Sequence, residues 1–358
     1  MTATSTPSLL LTKRLNLEHP IIQGPMTGSD TPALAAAVSK AGALGMLGCG
    51  MRSPAAMEEA ANAVRQATDR PFGMNLFVQK TPTPDPAIVK QAMDRLAPLY
   101  AEFGLTPSVP AQWCEDFDAQ LEALIAQKPA VASFTFGILS RPQVERLHAA
   151  GSYVIGTATT VAEAEAWQNV GADAVVASGM EAGGHRGTFL GDFQSSMIGT
   201  LPLVAECAAR LTTIPVIAAG GIMNGRSIAA SLTLGAQAVQ MGTAFLACPE
   251  SGIGAAYRDA MAQATAVDTR CTRTISGRYA RGIVNPLMSR LADFEDAVPD
   301  YPVQNALTGA LRKACGAAGR ADYLSLWAGQ GVGAARVLPA SELVGVLVDE
   351  LRAALLGR

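Results

Sequence analysis

A chain of 358 residues is long enough for one large domain of about 250 residues with an appended segment. Its composition, 49% hydrophobic and 16% charged, excludes a disordered protein and guarantees a sizeable core. A net charge of -3 without any run of Lys or Arg argues against nucleic acid or a membrane surface as partner, and no stretch reaches the roughly 18 apolar residues that span a bilayer.

The N-terminal stretch 1–15 carries a three-leucine patch and no cleavage-like region, so it reads as something other than a secretory signal. Apolar runs of strand length follow at 20–23, 44–47, 72–77, 131–134, 153–156, 174–177, 215–219 and 238–241. Ala-rich segments of helical period separate them, and no Asn-Gly or Asp-Gly turn joins any neighbouring pair. Parallel strands linked by helices and buried on both faces are therefore expected.

Helix starts are marked by Thr31-Pro32, Ser53-Pro54 and Ser140-Arg141-Pro142, and helix ends by Gly42, Gly151, Gly171 and Gly235. A proline-rich stretch at 80–86 and a helix over 87–103 read as an insertion on the strand-3 loop, above the barrel mouth. After residue 241 the pattern changes to helices around 252–264, 302–318 and 340–356 without strand alternation. The expected architecture is an α/β (β/α)8 TIM barrel over 1–264, with a C-terminal helical segment over 265–358 packing near its mouth. Two doubly wound sheets are the competing arrangement; the single unbroken series and the glycines after successive strands favour the barrel.

Cys49, Cys114, Cys207, Cys248, Cys271 and Cys315 lie far apart without Cys-x-x-Cys spacing. They read as free thiols of a reducing compartment, the cytoplasm, and not as a metal site.

Chemistry-bearing residues gather at strand ends. Pro215-Val-Ile-Ala-Ala-Gly-Gly-Ile-Met-Asn-Gly225 and Ala238-Val-Gln-Met-Gly-Thr243 end two consecutive strands. Gly220, Gly221, Gly242 and Thr243 would offer backbone N–H groups as an anion cradle where barrels bind phosphate, although each glycine alone could serve only a tight turn. No Lys follows, and no Gly-x-Gly-x-x-Gly with an acidic ribose anchor is present, so FMN or a phosphorylated substrate fits better than a nucleoside triphosphate or a dinucleotide.

Ser178-Gly-Met-Glu-Ala-Gly-Gly-His-Arg-Gly187 follows the sixth strand. His185, flanked by Gly183 and Gly184, could approach a flat ligand and move protons near neutral pH; a mere loop hydrogen bond is the bland alternative. Glu181 orients the loop or contacts a ligand, and Arg186 pairs within the loop or anchors a substrate. His19 and His148 read as structural. Gln23-Gly-Pro-Met-Thr-Gly28 would turn backbone against a ring, with Pro25 and Met26 facing it, and Asn75 has the donor and acceptor to read an imide edge. Late in the chain Tyr279, Arg281 and Tyr301 could bind a small anion or simply pack, and Trp327 reads as a packing anchor.

At these motifs the chain resembles the nitronate monooxygenases, formerly called 2-nitropropane dioxygenases. The resemblance runs over about 15–335, through Gln23-Gly-Pro-Met26, Asn75-Leu-Phe-Val78, Thr135-Phe-Gly137, Gly179-Met-Glu-Ala-Gly-Gly-His-Arg-Gly187, Ala219-Gly-Gly-Ile222 and Gln240-Met-Gly-Thr243. It implies non-covalent FMN and a catalytic His185. Contacts to the cofactor are implied at Asn75, Ser178, Gly183, Gly221 and Gln240, Met241, Gly242 and Thr243. Ser178 stands where many members have Gln. The implied reaction takes an alkyl nitronate such as propionate 3-nitronate and O2, through a flavin semiquinone, to a carbonyl compound and nitrite, without a metal. The implied enzyme is a monomer or homodimer. Flavin-dependent enoyl and quinone reductases using NAD(P)H look similar at Glu-Ala-Gly-Gly-His and form the alternative, and a flavin-binding sensor with an inert His185 is a third.

Overall fold

In the computed structural model, which describes residues 10–357, eight parallel strands form the core of the molecule. They are β1 (Ile21–Gln23), β2 (Gly45–Gly48), β3 (Phe72–Phe77), β4 (Val131–Thr135), β5 (Tyr153–Ala158), β6 (Ala174–Ser178), β7 (Val216–Ala219) and β8 (Ala238–Met241). Each pairs in parallel with its sequence neighbour, and β8 pairs with β1. The Ile22–Leu44 bridge joins β1 to β2 and closes the ring. This is the expected (β/α)8 barrel. The reading of 1–9 lies outside the described residues.

The helices begin where their caps predict. Thr31 Oγ1 accepts the Leu34 N–H at 3.0 Å to open Pro32–Lys40, and Ser53 Oγ accepts the Ala56 N–H at 3.2 Å to open Pro54–Ala67. Gly42, Gly151, Gly171 and Gly235 all take positive φ.

Two apolar layers hold the barrel. Inside, Ile22, Met46, Val131, Ile155, Val176 and Ile217 fill the bore, and Leu11 and Leu15 of the first helix join the same cluster. Outside, the strands' other faces pack on the helices. Trp167, fully buried on Val161–Val170, lies so close to β5 that a Cβ at Gly156 would meet its ring at 2.0 Å. Trp167→Ala is expected to cost about 3–5 kcal/mol, read as a lowered midpoint in urea or guanidinium unfolding.

The insertion after β3 carries Pro86–Ala101. Its Val89, Leu96, Leu99 and Tyr100 pack against Leu287, Val303, Leu307 and Leu311, so it leans on the C-terminal part of the chain. Within that part, residues 269–283 differ from the helical expectation. They form an antiparallel hairpin, β9 (Thr269–Thr272) and β10 (Ala280–Ile283), and β10 pairs with Gly184–His185. Thr-Arg-Cys-Thr and Ala-Arg-Gly-Ile carry no clear apolar alternation, which is why the hairpin is silent in sequence.

The chain also returns to the ring. A four-residue helix, Thr243–Leu246, follows β8 directly, and the expected helix over 252–264 comes after it as Ala255–Gln263. The final helix, Ala340–Leu355, packs on Gly225–Thr233 and Pro32–Lys40, with Leu343, Val344, Leu347 and Leu351 in the outer core. It covers the side of the barrel where the first and last units meet.

Candidate functional site

The carboxyl ends of the strands open into a cleft of about 680 Å³, walled by loops after β1, β3, β4, β6, β7 and β8 and by C-terminal residues including Tyr301 and Trp327. Sites expected from separate motifs meet here. Pro25 and Met26 line it after β1, and Asn75 lies on β3. Ser178, Gly183, Gly184 and His185 come from the β6 loop. Gly220 and Gly221 follow β7, while Gln240, Met241, Gly242 and Thr243 end β8. Tyr301 joins them from the far end of the chain.

Three expected residues stand elsewhere. Gln23 is fully buried behind the lining, where its Oε1 accepts the Met46 N–H at 2.9 Å and ties β1 to β2. Tyr279 stacks on Phe193 at 3.8 Å between centroids. Arg281 donates from Nε to the Met180 carbonyl at 3.0 Å and lies buried. Pairing of β10 with Gly184–His185 fixes this outcome: residues two apart share a strand face, and 279 and 281 share one that does not line the cleft.

The β6 loop is held by charge-assisted bonds. Arg186, almost fully buried, donates to the carbonyls of Ser178 (3.0 Å), Gly179 (2.7 Å) and Ser196 (2.8 Å). Glu181 accepts from the Thr200 N–H (2.9 Å) and hydroxyl (2.8 Å). Both side chains thus shape the loop that carries His185. A buried carboxylate does the same for the β1 loop: Asp30 accepts the N–H groups of Met26 (2.7 Å) and Gly48 (2.8 Å), and burial raises its pKa to about 6.

His185 is enclosed by the rings of Phe136 (5.4 Å), Tyr301 (5.4 Å) and Trp327 (5.3 Å). Burial foremost, then the charges of Arg278 and Arg312, push its pKa down to about 3. The imidazole is therefore neutral at physiological pH. Ser276 Oγ lies 2.9 Å from His185 Nε2 and 3.1 Å from the Arg278 carbonyl oxygen; when the hydroxyl donates to that carbonyl, it accepts from His185 Nε2–H. His185 Nδ1 has no hydrogen-bond partner among the described residues. Arg278 lies 4.3 Å above the Phe136 ring.

At the corner after β7 and β8, Gly220 and Gly221 take φ of 116° and 69°. No hydrogen bond within the described residues engages the N–H groups of Gly220, Gly221, Gly242 or Thr243. Thr243 Oγ1 accepts the Gly329 N–H at 3.0 Å, which ties the C-terminal segment to the corner. Asn75 Nδ2 donates to Ser133 Oγ (2.9 Å) and Thr135 Oγ1 (3.4 Å), leaving its Oδ1 available. Unmet donors at a glycine corner, a neutral histidine and nearby arginines suit a flat ligand with a phosphate and a small anion beside it.

Sequence reasoning missed Ser276 and Arg312, and it took Trp327 only as a packing anchor. Ser276 lies where no periodic pattern marks a strand, and Arg312 lies on the expected helix over 302–318 with nothing in the sequence to show that it faces the cleft. Among the described residues no group of His, Cys, Asp and Glu could hold a metal ion, and no helix is long and apolar enough to cross a membrane.

The family model described as "Nitronate monooxygenase" matches residues 8–350. A nitronate monooxygenase of Pseudomonas aeruginosa is 47% identical over 347 residues, covering 95% of this chain and 98% of that protein. A probable nitronate monooxygenase of Staphylococcus aureus is 40% identical, covering 95% and 96%. Among solved structures, a nitroalkane oxidase from Streptomyces ansochromogenes superposes with a TM-score of 0.89 at 41% identity, covering 98% and 99%. FabK from Thermotoga maritima gives 0.76 at 30% identity, covering 97% of each chain.

Proposed function

The chain belongs to the nitronate monooxygenase family, and we propose that it oxidises alkyl nitronates such as propionate 3-nitronate with O2 to a carbonyl compound and nitrite, using non-covalently bound FMN. The observation that carries the reading is a neutral, ring-enclosed His185 sharing one cleft with a cradle of unmet backbone donors.

The residues present fit FMN. Gly220, Gly221, Gly242 and Thr243 would hold its phosphate through N–H groups that the fold leaves unused. Asn75 and Gln240 offer amides for the polar edge of the ring, and Gly24, Pro25 and Met26 offer a side-chain-poor wall. A Cβ at Gly24 would come within 3.3 Å of Gln240 Cγ, so the absence of a side chain keeps that slot open. Bound there, FMN supplies the electron transfer between nitronate and O2.

The protein's own part is to choose and hold the substrate. A base that takes a proton from carbon works best with a pKa near the working pH, and His185 lies far below it. The cleft therefore serves a substrate that arrives ionised, a nitronate, in preference to a neutral nitroalkane. Arg278 and Arg312 add positive potential in a poorly hydrated site, which favours the anion. Phe136, Tyr301 and Trp327 fix the imidazole and exclude water around it. Ser276→Ala is expected to free the ring and lower kcat/KM for a nitronate about tenfold with FMN retained, in line with a lost positioning bond. Steady-state rates and the flavin absorbance of the purified variant check it.

We infer a cytoplasmic enzyme, supported by six free cysteines, acting as a monomer or homodimer. An NAD(P)H-dependent flavin reductase, similar at Glu-Ala-Gly-Gly-His, is the alternative. The two separate on O2 uptake and nitrite release with propionate 3-nitronate in the absence of NAD(P)H. Uptake with stoichiometric nitrite is expected; none with any nitronate overturns the proposal.

A further inference from the structure

Four arginines surround the His185 end of the cleft, and three of them are spent on the backbone. Arg186 binds the carbonyls of Ser178, Gly179 and Ser196; Arg278 binds those of Arg186 and Thr188; Arg281 binds that of Met180. None of these three lines the cleft, whereas Arg312 does.

Among the described residues, Arg312 is held only by neutral groups. Its Nη1 donates to Ser325 Oγ at 3.1 Å, and its Nη2 donates to the Asn305 carbonyl at 2.6 Å and Oδ1 at 2.9 Å. Its Nε is buried without any partner. The ionisable groups that bear on it are Tyr301 and Tyr100, not a carboxylate. An enclosed guanidinium without a counter-ion is costly for the fold, and the cost is relieved when an anion enters the same enclosure. Asn305, Ser325, Tyr301 and His185 line the cleft with it, so the space open to that anion is the reacting end.

We propose that Arg312 is the charge-selecting residue of the substrate site, the group that makes the cleft prefer an ionised, planar oxyanion such as a nitronate over its neutral parent. This rests on the nitronate reading for its biological meaning but not for its physics. Asn305 and Ser325 serve as positioning residues that aim the guanidinium while leaving its charge unpaired. A carboxylate in either place would neutralise the site.

The test titrates the FMN-loaded protein with sodium nitrate, an inert planar oxyanion, at constant ionic strength while following the flavin absorbance. KM and kcat for ethyl nitronate are measured in parallel. In Arg312→Met, nitrate affinity is expected to fall about tenfold or more, and KM to rise by a similar factor with a smaller change in kcat. Arg312→Lys keeps the charge but loses the fork that Asn305 and Ser325 aim, so its nitrate affinity is expected to fall less than that of Arg312→Met, by under about tenfold. Unchanged nitrate affinity in Arg312→Met overturns the proposal. So does an Arg312→Lys variant that no longer binds nitrate, since the retained charge would then count for nothing; this second variant decides if the first does not fold. Should the parent bind nitrate through Arg312 yet oxidise no nitronate, the functional reading fails and the anion site stands.

Discussion

Gly220→Ala is expected to yield a folded protein that has lost its yellow colour. Residue 220 sits at φ 116°, a region nearly closed to residues with a Cβ, and the added carbon would lie 2.7 Å from Thr200 Oγ1. That hydroxyl already donates to Glu181 at 2.8 Å and lies 3.0 Å from the Gly220 carbonyl oxygen, so it has little room to move. Turning the backbone to relieve the strain redirects the Gly220 and Gly221 N–H groups, which are the proposed phosphate donors. Loss of two charge-assisted bonds amounts to about 3–6 kcal/mol, or a hundredfold or more in FMN affinity. Fluorescence titration of apoprotein with FMN measures it directly. Retention of FMN at parental affinity would move the phosphate elsewhere.

The second large effect concerns His185. His185→Ala is expected to lower kcat/KM for a nitronate by about a hundredfold while FMN stays bound, because the proposed role of the imidazole is to position substrate, away from the proposed phosphate donors. Its depressed pKa also carries a sign. A histidine at about 3 in the folded protein and near 6.5 when unfolded binds fewer protons in the native state between those values. Its contribution to stability is intact above about pH 6.5 and is lost as the pH falls toward 3. The parent's stability is therefore expected to fall more steeply with acid than that of His185→Ala, as chemical denaturation at pH 7 and pH 4.5 would show. Within the catalytic range the imidazole stays neutral, so kcat/KM for a nitronate is expected to show no histidine limb between about pH 5 and 8. A limb near 6.5 that vanishes in His185→Ala would make the residue a proton acceptor.

The barrel was legible because its strands are unbroken apolar runs set between capped helices, a pattern that needs no tertiary information. The meeting of Gly220-Gly221 with Gly242-Thr243 was legible for a related reason: they end adjacent strands, and strand order alone brings them together. His185 stood out by its glycine neighbours. What stayed hidden depends on pairing across the chain. Tyr279 and Arg281 looked like anion ligands until the β10 register turned them from the cleft. Ser276 sits in polar, aperiodic sequence and Arg312 on the expected helix over 302–318, yet Ser276 meets the His185 ring and the charge of Arg312 bears on it. Trp327 reached the cleft only because residues 326–330 fold back over the β6 loop, where the Gln330 N–H meets the Glu181 carbonyl at 3.0 Å.

The most direct test of the central claim is anaerobic mixing of the FMN-loaded protein with propionate 3-nitronate and, separately, with NADPH, while the flavin spectrum is recorded. The account predicts a rapid spectral change with the nitronate, reversed by O2 with release of nitrite, and no change with NADPH in the same time. Fast bleaching by NADPH together with silence toward the nitronate would contradict it and identify the cleft as that of a reductase.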